Sequence, residues 1–330
     1  MLRKILYANS FLPVVIIILI IIIIWSTSFN ANFQVFPPVV ASPLYAYLIS
    51  LVGYSPIIII LLSVIIVAIE AFLINHILIE NELIPRNSTI AAFLFIILSG
   101  LFIDFINLNP VLIANLFIIS AIWLFMRIYN LADAYPIILN IGTLIGIASL
   151  FYFPSIIFLI LIWIGFIIYR IIKWREWIIS IIGFIIPYIF LISYYFGVNQ
   201  LNTRLEEYIN CLQIINFNSF SPSPFAFVTG IIIGVLFLFS FLKLLLAINE
   251  KAIRIRKSTS FLIWYMLSSI ILFLFSKNYA LLGVFMILTP LSIIISIFVN
   301  NIKKPFWFEG ILWILTVLMI SNHIGLWNLI

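Results

Sequence analysis

The chain has 330 residues, of which 66% are hydrophobic and 8% are charged, and its mean hydropathy is +1.34. This composition lies far outside the range of soluble domains, so it excludes a soluble globular protein. The formal net charge of +6 is an orientation signal and does not indicate a nucleic-acid-binding surface.

Apolar runs of about 20 residues recur along the chain, and each is long enough to cross about 30 Å of hydrocarbon. They predict an all-α fold, a polytopic transmembrane helix bundle that forms one integral membrane domain over residues 1–330. Eleven spans are predicted, near residues 11–29, 54–79, 89–106, 110–128, 136–152, 154–172, 177–196, 226–248, 258–276, 279–300 and 306–327.

The fifth predicted span is the least regular of the eleven. It contains Gly142 and Gly146, and it is flanked by Pro136 and Pro154. These residues favour a short or tilted helix, or one half of a re-entrant pair.

The Lys and Arg residues test this layout, because cytoplasmic loops carry an excess of positive charge. With the N-terminus inside, only Arg204 and Lys277 of the 16 cations fall on the outer side. The sequence therefore predicts a cytoplasmic N-terminus and a periplasmic C-terminus. The cations on the inner side are Arg3, Lys4, Arg86, Arg127, Arg170, Lys173, Arg175, Lys243, Lys251, Arg254, Arg256, Lys257, Lys303 and Lys304.

Two outer segments are long enough to carry structure of their own. In the first, residues 30–53, Ser42 followed by Pro43 predicts a short helix along the membrane surface. The second, residues 197–225, has apolar residues at helical spacing and predicts an interfacial amphipathic helix. The alternative for this second helix is a lid that only packs on the spans.

Ionisable groups inside spans are the best sequence evidence for a functional site, because charge in hydrocarbon is costly. Glu70 lies deep in the second span, and Asn75 and His76 follow toward its cytoplasmic end. Asp104 lies near the outer end of the third span, ahead of Asn107. A ligand entering from the periplasm would meet Asp104. The alternatives are helix packing for Glu70 and solvation of a helix end for Asp104.

The inner turn from Tyr169 to Trp177 is the densest cluster of cations and aromatic residues. Arg170 and Arg175 could hold a lipid phosphate, because a guanidinium group matches phosphate geometry. Trp174 and Trp177 at headgroup level favour the alternative, a simple membrane anchor. Cys211 is the single cysteine, and no His/Cys cluster has ligand spacing, so neither a metal nor another cofactor is predicted.

The order of these features resembles a known family. The chain has a first span, the stretch Ser42-Pro-Leu-Tyr-Ala-Tyr-Leu, a span ending in Asn75-His-Ile-Leu-Ile-Glu-Asn81, the segment Asn140-Ile-Gly-Thr-Leu-Ile-Gly-Ile-Ala-Ser149 and a span closing in Ser193-Tyr-Tyr-Phe-Gly197. Over about residues 1–200 this looks like the GT-C glycosyltransferases, which use polyprenyl-phosphate-linked sugars on the outer face of a membrane. The whole chain also resembles an uncharacterised family of Bacteroidota inner-membrane proteins, which implies a bacterial inner-membrane location.

The chain departs from the GT-C pattern at one important place. Those enzymes carry a catalytic Asp or Glu in the first outer loop, and residues 30–53 contain neither. Asp104, in the second outer turn, is the remaining candidate for a base. Two hypotheses follow: a GT-C-like protein that binds or transfers lipid-linked sugars with membrane lipids as partners, or a non-catalytic structural or transport subunit of a cell-envelope machine.

Overall fold

A computed structural model of the chain describes residues 2–7, 12–26, 42–53, 55–101, 107–129, 131, 134–201, 224–275, 280–302 and 304–323. The described residues contain helices and no strands, which confirms the all-α prediction. The helices are α1 (Leu2–Leu6), α2 (Leu12–Ser26), α3 (Pro43–Val52), α4 (Pro56–Glu80), α5 (Ile90–Gly100), α6 (Pro110–Met126), α7 (Tyr135–Phe151), α8 (Ile157–Tyr169), α9 (Trp174–Gly197), α10 (Pro224–Ala247), α11 (Ile253–Leu274), α12 (Ala280–Asn300) and α13 (Pro305–His323).

Six stretches are long and apolar enough to cross a membrane. They are Pro56–Glu80, Trp174–Gly197, Phe225–Glu250, Ile253–Leu274, Gly283–Asn300 and Phe306–His323. The predicted short helix after Ser42 is confirmed as α3. Most of the second outer segment, residues 202–223, lies outside the described residues, so the interfacial helix predicted there stays a prediction.

Prolines set the start of many of these helices. Because proline lacks an N–H and has its φ angle already fixed, it suits the first turn, where that donor would be unpaired in any case. At the start of α6, Asn109 adds a side-chain cap, since its Oδ1 accepts a hydrogen bond from the Leu112 N–H at 2.7 Å. The helices that begin at a proline start at Pro43, Pro56, Pro110, Pro224 and Pro305.

The centre of the bundle is formed by α5, α6 and α12. Every residue of α5 is buried, and so is 78% of the most apolar stretch of α12. At the periphery, the corresponding apolar stretch of each helix is much less buried, with 17% buried in α9, 17% in α10 and 22% in α13. The outer helices therefore present largely apolar surfaces, as expected of helices in contact with lipid.

Helices α7 and α9 run parallel and pack almost backbone to backbone. A Cβ atom on Gly142 would lie 2.3 Å from the carbonyl oxygen of Ser180, and one on Gly183 would lie 2.3 Å from that of Leu139. A Cβ atom on Gly146 would likewise lie 2.6 Å from the carbonyl oxygen of Phe184. The glycines of the fifth predicted span thus permit close helix packing, and α7 is one continuous helix of 17 residues.

Helix α8 follows α7 along the chain but packs mainly against α11. The Tyr169 and Ser258 hydroxyls lie 3.3 Å apart, and the rings of Phe158 and Tyr265 are 5.7 Å apart. A 3-10 turn over Phe153–Ile156 redirects the chain between α7 and α8.

Many of the described cations gather at one end of the bundle, here called the basic end, where α4, α6 and α8 finish and α5, α9 and α11 begin. Arg127 pairs with Glu80 there, and the Arg254 guanidinium donates to the Glu80 carbonyl oxygen at 3.3 Å. Lys257 donates to the Tyr169 carbonyl oxygen at 3.4 Å. These contacts join the ends of α4, α6 and α8 to the start of α11.

Contacts at the other end of the bundle, here called the opposite end, join a different set of helix ends. The Tyr45 hydroxyl of α3 donates to the Leu108 carbonyl oxygen at 3.0 Å. The Asn322 amide of α13 donates to the Leu101 carbonyl oxygen at 2.7 Å. Consecutive long helices therefore alternate in direction, and α3 lies across the opposite end against α7.

Candidate functional site

A chain of polar side chains crosses the centre of the bundle at Glu70. The Asn115 amide of α6 donates to Glu70 Oε1 at 3.1 Å, and the Thr289 hydroxyl of α12 donates to Asn115 Oδ1 at 3.1 Å. All three side chains are fully buried. Glu70 lies about 15 Å along α4 from Glu80, well inside the bundle.

Tyr265 of α11 is the fourth member of the polar chain. Its buried hydroxyl lies next to that of Thr289 but has no hydrogen-bond partner among the described residues. Glu70 Oε2 is also buried and has no hydrogen-bond partner among the described residues. The donors from Thr289 and Asn115 are directed toward Glu70, so the carboxyl group is the final acceptor. One amide is a sparse partner for a carboxyl group in an apolar interior, where an ionised group is costly.

Glu80, ten residues further along α4, lies in a very different environment at the basic end. Its Oε2 accepts from the Trp123 indole N–H at 2.8 Å, and its Oε1 lies 3.3 Å from Arg127 Nε. The Arg127 guanidinium also stacks over the Trp123 ring at 5.1 Å. His76 Nε2 lies 3.4 Å from Glu80 Oε2, with 57% of the His76 side chain exposed. This carboxylate is well compensated.

Glu70, Asn75 and His76 lie in three different environments of α4, although the sequence groups them. The Asn75 amide donates to the Ser88 carbonyl oxygen at 3.0 Å and ties α4 to the loop before α5. His76 belongs to the Glu80 cluster. Within the described residues, no group of three or more His, Cys, Asp or Glu side chains could hold a metal ion.

The arginines of the inner turn are also separated. Arg170 ends α8 in the left-handed conformation, with φ of 61°, and lines an open groove with Trp174 and Trp177. Arg175 is exposed at the start of α9 and does not line that groove. The groove thus carries one of the two arginines predicted to hold a phosphate.

Asp104 lies outside the described residues, but the chain on both sides of it is described. Gly100 and Leu101 are held to the end of α13, because their carbonyl oxygens contact His323 and Asn322. On the other side, the Asn107 carbonyl oxygen accepts from the Asn109 amide at 3.1 Å, and Leu108 is held by Tyr45. The described residues that border the segment with Asp104, Leu101 and Asn107, therefore both lie at the opposite end.

The family model for DUF6427, described as a family of unknown function, matches residues 1–326. The chain belongs to this family. The match takes in every helix described above, so the polar chain at Glu70 and both ends of the bundle lie within the DUF6427 region. No curated protein and no solved structure matches the chain.

Three residues of the polar chain in this DUF6427 protein, Asn115, Thr289 and Tyr265, were not among the site residues predicted from the sequence. Asn115 is an amide inside an apolar run, and Thr289 stands directly before Pro290, within α12. An amide in a predicted span must find a partner, which is a signal that sequence analysis could have used. Tyr265 offers no comparable signal, because tyrosine is common in apolar helices of this chain.

Proposed function

We propose that this protein is a polytopic inner-membrane protein in which α2 and α4–α13 form eleven spans, with the basic end in the cytoplasm. The alternating direction of consecutive helices supports this topology. So does the gathering of cations at one end, since cytoplasmic loops carry an excess of Lys and Arg. In this topology α3 lies at the periplasmic surface.

The proposed activity is the binding of lipid-linked sugars at the opposite end by a GT-C-like protein. The same site would transfer these sugars if the protein is a divergent transferase. One observation carries it. Helix α3 docks on the bundle through Tyr45, whose hydroxyl holds Leu108 just beyond the segment that contains Asp104. A surface helix beside an acidic outer turn agrees with the arrangement of the GT-C enzymes.

In this proposal Asp104 acts as the base or orients the acceptor. A base must come within hydrogen-bond reach of the proton it removes, and the first outer loop supplies no carboxylate for that task. Binding therefore fits the residues better than full transfer. Asn107 borders the same turn and would contact the sugar through its side-chain amide.

The test is a mass-spectrometric comparison of lipid-linked sugars and surface glycans in cells with the gene deleted, restored, or restored with Asp104→Asn. Deletion is expected to accumulate a lipid-linked precursor that wild type clears and Asp104→Asn does not. Glu82→Gln is the matched control, because Glu82 is an exposed acid at the basic end. Unchanged profiles in all strains would refute the proposal.

The second candidate function is a structural or transport subunit of a cell-envelope machine. The observation in its favour is the exposed apolar surface of α9, α10 and α13, which offers partner helices a face to pack against. If this candidate is correct, gentle solubilisation would yield a stable complex with defined membrane partners, and the glycan profiles would not change on deletion.

A further inference from the structure

A cavity of about 250 Å³ opens at the basic end, far from the site of the proposed function. It lies between the last turns of α10, the first turns of α11, the last turns of α12 and the loop after α4. Its position at the end of the bundle is the level of lipid headgroups in the proposed topology. The lining includes Lys243, Leu244, Lys251, Ile255, Phe298 and Asn301.

The polar part of this cavity is positively charged. Lys243 and Lys251 both line it, and none of the described lining residues is acidic. The Lys243 ammonium group is held over the Phe298 ring, 5.5 Å from its centroid. Two ammonium groups on one small cavity attract an anion, and the Asn301 side chain adds a neutral polar group to the same wall.

Apart from the Ser240 and Thr259 hydroxyls, the rest of the cavity lining is apolar, and exposed apolar residues of α10 lie next to it. Leu244, Ile255 and Phe298 supply aliphatic and aromatic surface inside the cavity. Two exposed apolar side chains of α10 lie one helical turn to either side of Lys243, since Phe239 and Leu246 are 60% and 80% exposed. An anionic group in the cavity would therefore adjoin a helix surface suited to hydrocarbon chains.

We propose that this cavity binds the phosphate headgroup of an anionic phospholipid whose acyl chains lie along α10. The two lysines recognise the phosphate, and the apolar wall contacts the glycerol and the first methylene groups. A cavity of this size holds a headgroup and not the chains, which agrees with the exposed apolar surface of α10. A free phosphate would carry the same charge but would leave the apolar wall against water.

The experiment uses the purified full-length protein in detergent and measures binding of short-chain phosphatidylglycerol, short-chain phosphatidylcholine and inorganic phosphate by native mass spectrometry. The test variant is Lys243→Gln with Lys251→Gln. The control is Arg86→Gln with Arg256→Gln, which removes two exposed cations outside the cavity lining from the same end of the bundle. Thermal unfolding of each variant without lipid checks that the fold is retained.

Phosphatidylglycerol is expected to bind more tightly than phosphatidylcholine, and the test variant is expected to bind it roughly tenfold more weakly or worse. The control variant is expected to keep most of the wild-type affinity. Equal losses in the two variants would overturn the proposal, because general surface charge would then explain the binding. Equal affinity for the two lipids, or for phosphatidylglycerol and inorganic phosphate, would overturn it as well.

The two proposals can fail separately. Glycan profiles report on Asp104 and the opposite end, whereas lipid binding by the lysine variant reports on the basic end. If the test variant loses lipid binding in vitro but supports normal glycan profiles in cells, the phospholipid site stands apart from the proposed function.

Discussion

Glu70 and Glu80 lie on the same helix, yet they occupy opposite electrostatic environments. Glu80 has an arginine, an indole N–H and a histidine around its two oxygens, at the basic end. Glu70 has one amide donor, in the centre of the bundle, and its second oxygen is unpaired among the described residues. The comparison shows that residue type alone does not define a site, because the surrounding helices determine whether a carboxyl group is supported as a charge.

The largest predicted effect is the loss of folding stability when Glu70 is replaced. Glu70→Leu leaves the buried Asn115 amide without its acceptor, so the free energy of unfolding should fall by about 1–3 kcal/mol. Asn115→Leu should cost a similar amount, and the double variant should recover part of the loss. Denaturant unfolding in detergent measures this cycle. Strictly additive losses would show that the two side chains do not interact.

The second prediction concerns Glu80, for which the expected loss is smaller. Glu80→Gln keeps an oxygen for the Trp123 indole but loses the ion pair with Arg127, whose side chain is 49% exposed. Partly exposed ion pairs contribute up to about 1 kcal/mol, so the loss should stay below that value. The same unfolding assay applies, with Glu82→Gln as the exposed control. A loss larger than that of Glu70→Leu would reverse the comparison.

The coupling energies of Glu70 and Glu80 with their partners should also differ in their dependence on salt concentration. The coupling between Glu80 and Arg127, measured by a double-mutant cycle, should weaken as salt rises toward 1 M, where the screening length is about 3 Å. The coupling between Glu70 and Asn115 should not change, because that pair is buried away from ions. Equal salt sensitivity of the two couplings would mean that water and ions reach Glu70.

The smallest predicted effect is a pH dependence at the basic end. Burial raises the pKa of Tyr7 above its ordinary value of 10.0, and the Tyr7 hydroxyl donates to the Asn300 side chain. A raised pKa in the folded state means that the folded protein retains the proton longer, so stability is lost as the pH rises through and above 10. Wild type should lose more stability than Tyr7→Phe between pH 9 and pH 11 in thermal unfolding. Parallel curves would show that Tyr7 does not contribute.

Much of the helical fold could be predicted from the sequence, because spans in lipid must be long apolar helices that satisfy their own backbone. Apolar runs gave the ends of most helices to within a few residues. The largest differences are at the end of α5, which ends at Gly100 and not near residue 106, and at the start of α11, which begins at Ile253 and not near residue 258. Arg254, Arg256 and Lys257 remain helical there, because a helix extends beyond the hydrocarbon and its charged first turns can lie among headgroups.

The candidate site could be predicted only in part. A carboxyl group inside an apolar span is rare, so the sequence alone indicated Glu70 as a candidate site residue. Its hydrogen-bond donor comes from α6 and the rest of the polar chain from α11 and α12, and the pairing of distant helices leaves no mark in hydropathy. Asn75 was grouped with Glu70 by proximity in sequence, but five residues along a helix place it on another face, where it bonds the Ser88 carbonyl oxygen.

The partner of α8 is made late during synthesis. Helix α8 ends at Tyr169, whereas α11 begins at Ile253, so α9 and α10 must leave the ribosome before α8 can dock in its final place. In the proposed topology, α8 lies in the bilayer without this main partner until then. Its sequence suits that interval, because no charged residue occurs from Ile157 to Tyr169, and lipid can surround the helix on every side. In the proposed topology, assembly therefore depends on a helix that gains its main partner, α11, only when the second half of the chain has been inserted.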